Sequence, residues 1–228
     1  MGQWLRAHCA FGYLFVCHGE DGDDALLYPS YSSDGLGYGR WTEPEFELHY
    51  LAAHVTTALD PASTSAQAES LHEVEYLAPH DREGRRTRMR GWVWLDDVAL
   101  ERLAGDDWSV WPDELQVGGE RRYGFGRLHL CRPAAQEESL PAGYSFSGDG
   151  ARPTLWIEAG KPLLAHALVD GISAQGMVEP VVGRETQCDS ERFGQHLTTA
   201  QLSWAPGSVT LQETFVLVNE WGTWRAAG

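Results

Sequence analysis

The sequence predicts an α+β fold. Three observations lead there: alternating apolar runs of strand length recur along the chain, one short capped helical pattern interrupts them, and a glycine-rich loop opens directly into another alternating run. With 228 residues, 43% of them hydrophobic, and 10 tryptophans, the chain has the material for one large core or two small ones. It is too evenly apolar to be disordered.

Residues 3–17 alternate loosely around Gly12 and read as a strand or hairpin. Residues 18–45 hold "GEDGDD" and "SSDGLGYGR", with many glycines and acids and no helical period, and read as a long loop. In "FELHYLAAHVTTAL" (46–59), Phe46, Leu48, Tyr50 and Ala52 share one face, and the Thr, Val and aromatic content favours strand over helix. A turn-rich loop, "LDPASTSAQAES", follows. "LHEVEYLAP" and "TRMRGWVWL" read as two strands joined by "HDREGRR" as a polar hairpin connection. "DDVALERLAG" reads as a short helix, with Asp96 or Asp97 as cap, Val98, Leu100 and Leu103 on its apolar side, and Gly105 at its end.

Then comes "LQVGGERRYGFGRLHL" (115–130), a glycine loop followed by a strand from Gly124 to Cys131. The order strand, hairpin, helix, glycine loop, strand is that of the second half of a ferredoxin-like β-α-β-β-α-β unit. This places a ferredoxin-like domain over residues 1–132, a Pro- and Gly-rich linker over 133–152, and a β-rich C-terminal region over 153–228. In that last region "PLLAHALVDGI" has helical spacing, "QLSWAPGSVTLQETFVLV" reads as two strands across a Pro-Gly turn, and "NEWGTWRA" as one further hairpin.

The formal net charge of −16 argues against a nucleic-acid binder, but the distribution of the basic residues argues for one. Arginine supplies 16 of the 17 basic residues, and ten of these lie between Arg82 and Arg132. Planar guanidinium groups suit phosphates and bases. In the loop, Gly118, Gly119, Gly124 and Gly126 tolerate positive φ and allow a backbone to approach a ligand closely. Arg121, Arg122 and Arg127 supply charge-assisted contacts, and Tyr123 a stacking surface, a mixture that reads single-stranded RNA. Phe125 is expected to face inward. A glycine-rich hairpin with solvated arginines is the plainer alternative. "REGRRTRMR" (82–90) has five arginines in nine residues; Arg85, Arg86 and Arg88 are read as a basic arm on an RNA backbone, or else as a solvated turn balanced by Glu73, Glu75 and Asp81.

"GGERRYGFGRLHL" resembles the glycine-rich loop of the RAMP (repeat-associated mysterious protein) superfamily of CRISPR-associated proteins, through Gly118, Gly119, Arg121, Arg122, Gly124, Phe125, Gly126 and Arg127. "TTALDPASTSAQAESLHEVEYL" (56–77) is similar to a stretch of some type III effector subunits, carried by Thr57, Ala58, Leu59, Asp60 and Leu71, and "GWVWLDD" (91–97) stands where such proteins place the strand before the second helix. The resemblance covers residues 46–132. It implies a ferredoxin-like (RRM-like) RAMP unit, a guide or target RNA as ligand, other CRISPR effector subunits as partners, and a place near the subunits that cap the 5′ end of the guide.

Some RAMP relatives cut RNA with a histidine and no metal, and others with a loop aspartate. His49, His54, His72 and Asp34 are the candidates here, but no local pattern gives a histidine a base partner, and Asp34 before Gly35 reads as a turn residue. The expectation is binding without catalysis; a metal-independent endoribonuclease is the first alternative. The second is an acidic protein-interaction subunit, with "GEDGDD" docking on a basic partner. Cys9, Cys17, Cys131 and Cys188 match no zinc module, and His8-Cys9 with Cys17-His18 reads as small apolar cysteines on a strand pair, so neither metal nor cofactor is expected. There is no signal-peptide layout and no membrane-length apolar run, which predicts a cytoplasmic protein.

Overall fold

A computed structural model describes residues 2–18, 25–58, 65, 69–104, 114–131, 140–148, 150–185, 196–219 and 221–228. The chain is a mixed α and β protein with few helices and mostly strands. Its largest sheet has seven strands, in the spatial order Tyr144–Ser147, Thr154–Ile157, Thr214–Val218, Trp224–Ala226, Ala167–Leu168, Gln201–Trp204, Val178–Val181. All neighbours are antiparallel except Ala167–Leu168 against Trp224–Ala226. Alternation drives its centre: Leu155, Ile157, Val216 and Val218 all point inward and are at most 2% exposed. Burying each such side chain contributes about 1.5–3 kcal/mol.

The core of this sheet is shared with the N-terminal segment. Ala10, Phe15 and Trp94 pack in one cluster with Leu155, Ile157, Leu163, Val216 and Trp224. They arrive on an interrupted antiparallel ladder in which Cys9–Phe11 pairs with Val93–Leu95, and Phe15–His18 pairs with Arg88–Arg90 and Ala25–Leu26. At the interruption the backbones nearly touch. A Cβ on Gly91 would lie 2.5 Å from the Tyr13 carbonyl oxygen, so only glycine fits. A Tyr–His–Glu chain ties the two segments: Tyr13 Oη donates to His166 Nδ1 (2.7 Å), and His166 Nε2 donates to Glu179 Oε1 (2.7 Å).

Two smaller cores complete the structure. Helix α1 (Gly2–His8) and helix α3 (Asp97–Ala104) flank the Cys9–Phe11 ladder, where Cys9 and Ala99 are buried against Trp4, Leu5, Phe11 and Leu95. Asp96 caps α3 as the sequence predicts, its Oδ1 accepting from the Ala99 amide at 2.7 Å. Helix α2 (Glu43–Tyr50) lays Phe46 and Tyr50 on Val16 and Leu27, walled by Tyr38, Trp41 and Leu77.

Several elements differ from the sequence reading. Residues 2–8 are helical. Inside the expected loop 18–45 lies a three-stranded meander, Pro29–Ser32, Gly35–Tyr38 and Trp41–Thr42, whose Gly37 lets the Trp41 carbonyl approach to 3.0 Å of where a Cβ would stand. The expected strand 46–59 is helix up to Tyr50 and strand only over Leu51–Thr56. A capping box explains the start, since the Glu45 carboxylate accepts from both the Thr42 amide (2.9 Å) and Thr42 Oγ1 (2.8 Å), with Pro44 in the first turn. "HDREGRR" makes a tight turn, but the strands on either side take different partners, Leu51–Thr56 for His72–Leu77 and Phe15–His18 for Arg88–Arg90. "PLLAHALVDGI" is not helical: Leu163, Leu164, Ala165 and Ala167 are all buried, so there is no polar face, and Gly171 turns at φ +77°. Tyr144–Ser147, inside the stretch read as a linker, is the edge strand of the large sheet. The expected strands His72–Leu77, Arg88–Arg90 with Val93–Leu95, Gln201–Trp204 and Thr214–Val218 are present, as is the final turn to Trp224–Ala226. Among the described residues, no helix is long and apolar enough to cross a membrane.

Candidate functional site

The glycine-rich stretch forms a β-hairpin. Glu114–Gln116 pairs with Arg127–His129, and a single 3₁₀ turn, Arg121–Tyr123, forms the tip. Gln116 Nε2 pins this tip by donating to the carbonyls of Arg121 (2.8 Å) and Phe125 (3.2 Å). The glycines have separate tasks. Gly126, at φ +75°, would place a Cβ 1.7 Å from the Val117 carbonyl oxygen, so it is required by the hairpin itself. Gly118 (φ +77°) and Gly124 (φ +89°) supply the left-handed turns, and together with Gly119 they face open space.

The side chains divide in the same way. Arg121 and Arg122 are exposed and make no ion pair among the described residues, and Tyr123 is 76% exposed. Arg127 Nε is held by Glu114 Oε1 at 2.9 Å. Phe125, expected to face the core, is half-buried and joins none of the core clusters: its ring lies 5.1 Å from Tyr76 and 6.2 Å from His54, which sets this hairpin against the Leu51–Thr56/His72–Leu77 hairpin. The 82–90 arginines are largely engaged by the fold. Arg82 Nε donates to the Leu48 carbonyl (2.6 Å), and Arg85 pairs with both Asp81 (Nε to Oδ2, 2.8 Å) and Glu83. Arg86 is exposed, and Arg88 is half-buried on its strand.

A second site lies at the end of α2, and no sequence pattern announced it. His18 ends its strand, His49 sits in the last turn of α2, and Asp81 heads the tight turn; one donor atom from each lies within 4.8 Å of the others. Asp81 Oδ1 accepts from the amides of Glu83 and Arg85, both at 2.9 Å. Burial acts to raise the Asp81 pKa, but the hydrogen bonds from Arg85 and these amides outweigh it and hold the carboxyl below its usual range. His18 Nδ1 is 2.7 Å from Tyr50 Oη, and Arg40 Nη2 is 3.1 Å from His18 Nε2. A guanidinium only donates, so Nε2 carries the lone pair and Nδ1–H donates to Tyr50. Burial, then the charges of Arg85 and Arg40, keep His18 neutral below its ordinary pKa. Tyr50 is pushed up to about 12, by burial and then by Asp81. The Trp41 ring covers His49 at 4.6 Å.

Of the other candidates, His54 and His72 lie exposed on the outer hairpin, His72 against Thr56 Oγ1. Asp34 sits in the turn between two meander strands, its amide donating to Ser32 Oγ. Cys9 and Cys17 are free thiols buried on strands that do not pair with each other, and His8 is taken by Asp96 at 2.7 Å. The stretch 19–24, Leu59, Asp60 and Cys188 lie outside the described residues. No family model matches the sequence, and neither a curated protein nor a solved structure matches it significantly.

Proposed function

We propose that this protein is an RNA-binding subunit of a CRISPR-associated ribonucleoprotein, and that the tip of the glycine-rich hairpin grips the backbone of a guide or target RNA. One observation carries the reading. Arg121, Arg122 and Tyr123 stand exposed on a tip where Gly118, Gly119 and Gly124 leave the main chain open to a ligand, and neither arginine is ion-paired among the described residues. Two adjacent guanidinium groups offer bidentate contacts to successive phosphates, and the tyrosine a face for a base. The resemblance of the loop to RAMP proteins supports the same ligand. In this reading Phe125 seats the tip hairpin against the Leu51–Thr56/His72–Leu77 hairpin.

The test is equilibrium binding of a labelled single-stranded RNA taken from a CRISPR repeat. The wild type binds at low salt, and Arg121→Ala/Arg122→Ala binds at least about tenfold more weakly, the worth of one lost charged hydrogen bond. Equal affinity of the two proteins overturns the reading.

A further inference from the structure

We propose that His18, His49 and Asp81 form a binding site for a divalent transition metal ion, with Zn²⁺ the best-suited occupant. This site is separate from the hairpin tip and does not depend on the RNA reading. It begins with His49. The residue is 9% exposed, and its Nε2 is shielded from solvent without a hydrogen-bond partner. That nitrogen lies 3.5 Å from Asp81 Oδ2 but is not aligned to donate to it. A buried ring nitrogen beside a carboxylate to which it makes no hydrogen bond is destabilising. A cation held between the two groups removes that cost and shares the carboxylate with Arg85.

The chemistry of the donors fits. Two imidazoles and one carboxylate make a borderline-soft set that suits zinc, and three protein ligands leave a fourth position for water or an external ligand. The lone pair of His18 is already on Nε2, because Tyr50 takes the Nδ1 proton. Outer contacts of the kind that orient metal ligands are in place: Tyr50 on His18, and Arg85 with two backbone amides on Asp81. Tetrahedral ligands stand about 3.4 Å apart at normal Zn–N and Zn–O lengths, so donor atoms as far apart as 4.8 Å must close by about 1.4 Å. His18, the part-buried member of the three, is the one placed to make that movement.

Arg40 opposes binding. Its Nη2 occupies the lone pair on His18 that a metal needs, and its charge repels a cation. Arg40 is exposed and rests on the Trp41 ring at 5.0 Å, so it is free to swing away. Its removal therefore separates a metal site from a structural cluster: a cluster loses a bond, whereas a metal site loses a competitor.

The experiment uses the untagged full chain, stripped with chelator. Zn²⁺ is titrated by calorimetry and Co²⁺ by its visible absorption. The expected result is one equivalent bound with a tetrahedral Co²⁺ spectrum, at least about tenfold weaker in His18→Gln and His49→Gln, since loss of an outer contact alone costs that much. Arg40→Ala binds as tightly or more tightly. Melting curves without metal establish that each variant folds, and if His49→Gln does not fold, the part-buried His18→Gln carries the test. No saturable binding near one equivalent, binding that survives the histidine changes, or weaker binding in Arg40→Ala overturns the proposal.

Discussion

Replacing Arg121 and Arg122 together with alanine should change the salt dependence of RNA binding by an amount that follows from their surroundings. Each arginine that neutralises a phosphate on a single strand adds about 0.7 to the slope of log affinity against log salt. Both side chains are exposed, and neither is paired among the described residues, so each delivers a full charge. Their joint loss should lower the slope by about 1.4, so a tenfold rise in salt weakens the variant about 25-fold less than the wild type. Arg127 is already held by Glu114, and Arg127→Ala should lower the slope by less than about 0.7. Arg85 is committed to Asp81 and Glu83, and Arg85→Ala should leave the slope unchanged while lowering the melting temperature. Fluorescence anisotropy across a salt series reads all four proteins, beside their thermal melts. The double variant should melt with the wild type, because exposed, unpaired charges contribute little to stability. The reasoning fails if the double variant keeps the wild-type slope, or if Arg85→Ala flattens it as much as the tip does.

Thr42→Ala removes the hydroxyl half of the α2 capping box, leaving the backbone amide bond to Glu45, and should cost about 1 kcal/mol, read in a thermal melt as a drop of about 2–4 °C. Gly126→Val drives a side chain into the Val117 carbonyl at a positive φ, so it should abolish RNA binding while leaving the near-ultraviolet signal of the tryptophan-rich core intact, since the hairpin lies outside that core. Asp96 is held below its ordinary value of 3.8 by the Ala99 amide and then, against some burial, by His8. A folded-state pKa below the unfolded one gives stability that is full above 3.8 and lost as pH falls through the lower folded value. The melting-temperature advantage of wild type over Asp96→Asn should therefore shrink over that acid range and not on the alkaline side.

Where local signals agreed with tertiary demand, the sequence could be read directly. His72–Leu77 and Thr214–Val218 alternate, Pro206-Gly207 marks the turn after Gln201–Trp204, and Asp96 caps α3. Helix α2 was misread because Phe46, Leu48, Tyr50 and Ala52 alternate as a strand would, and the helix runs straight into one; Thr42 with Glu45 three residues on was the signal that outweighed the alternation. The meander was hidden because glycines that ordinarily mark loops serve there to let Gly37 pass under Trp41. The glycine loop was legible in composition but not in division of labour: nothing in "GFG" distinguishes Gly126, which the hairpin requires, from Gly124, which faces open space. The histidine–aspartate cluster had no local pattern. His18, His49 and Asp81 come from three separate segments, and each alone reads as a structural residue.

The apparent conflict between an acidic chain and an RNA ligand is resolved by asking what each arginine does. Arg6, Arg40 and Arg102 lie over the rings of Trp221, Trp41 and Trp4. Arg82 ties the tight turn to the end of α2, Arg85 is bound by two acids, and Arg127 closes its own hairpin. The fold uses these arginines as structural donors, so the high arginine density between residues 82 and 132 overstates the charge on offer. Arg121 and Arg122, unpaired among the described residues, stand on an exposed hairpin. At 0.1 M salt the Debye length is about 10 Å, so distant acidic charge is largely screened while a direct contact at the tip is not. The net charge of −16 then opposes indiscriminate adhesion to polyanions and leaves affinity to the few contacts that reach a phosphate. On the proposed function, such a protein would engage RNA through the tip, and its specificity would come from the shape of the tip rather than from a basic surface.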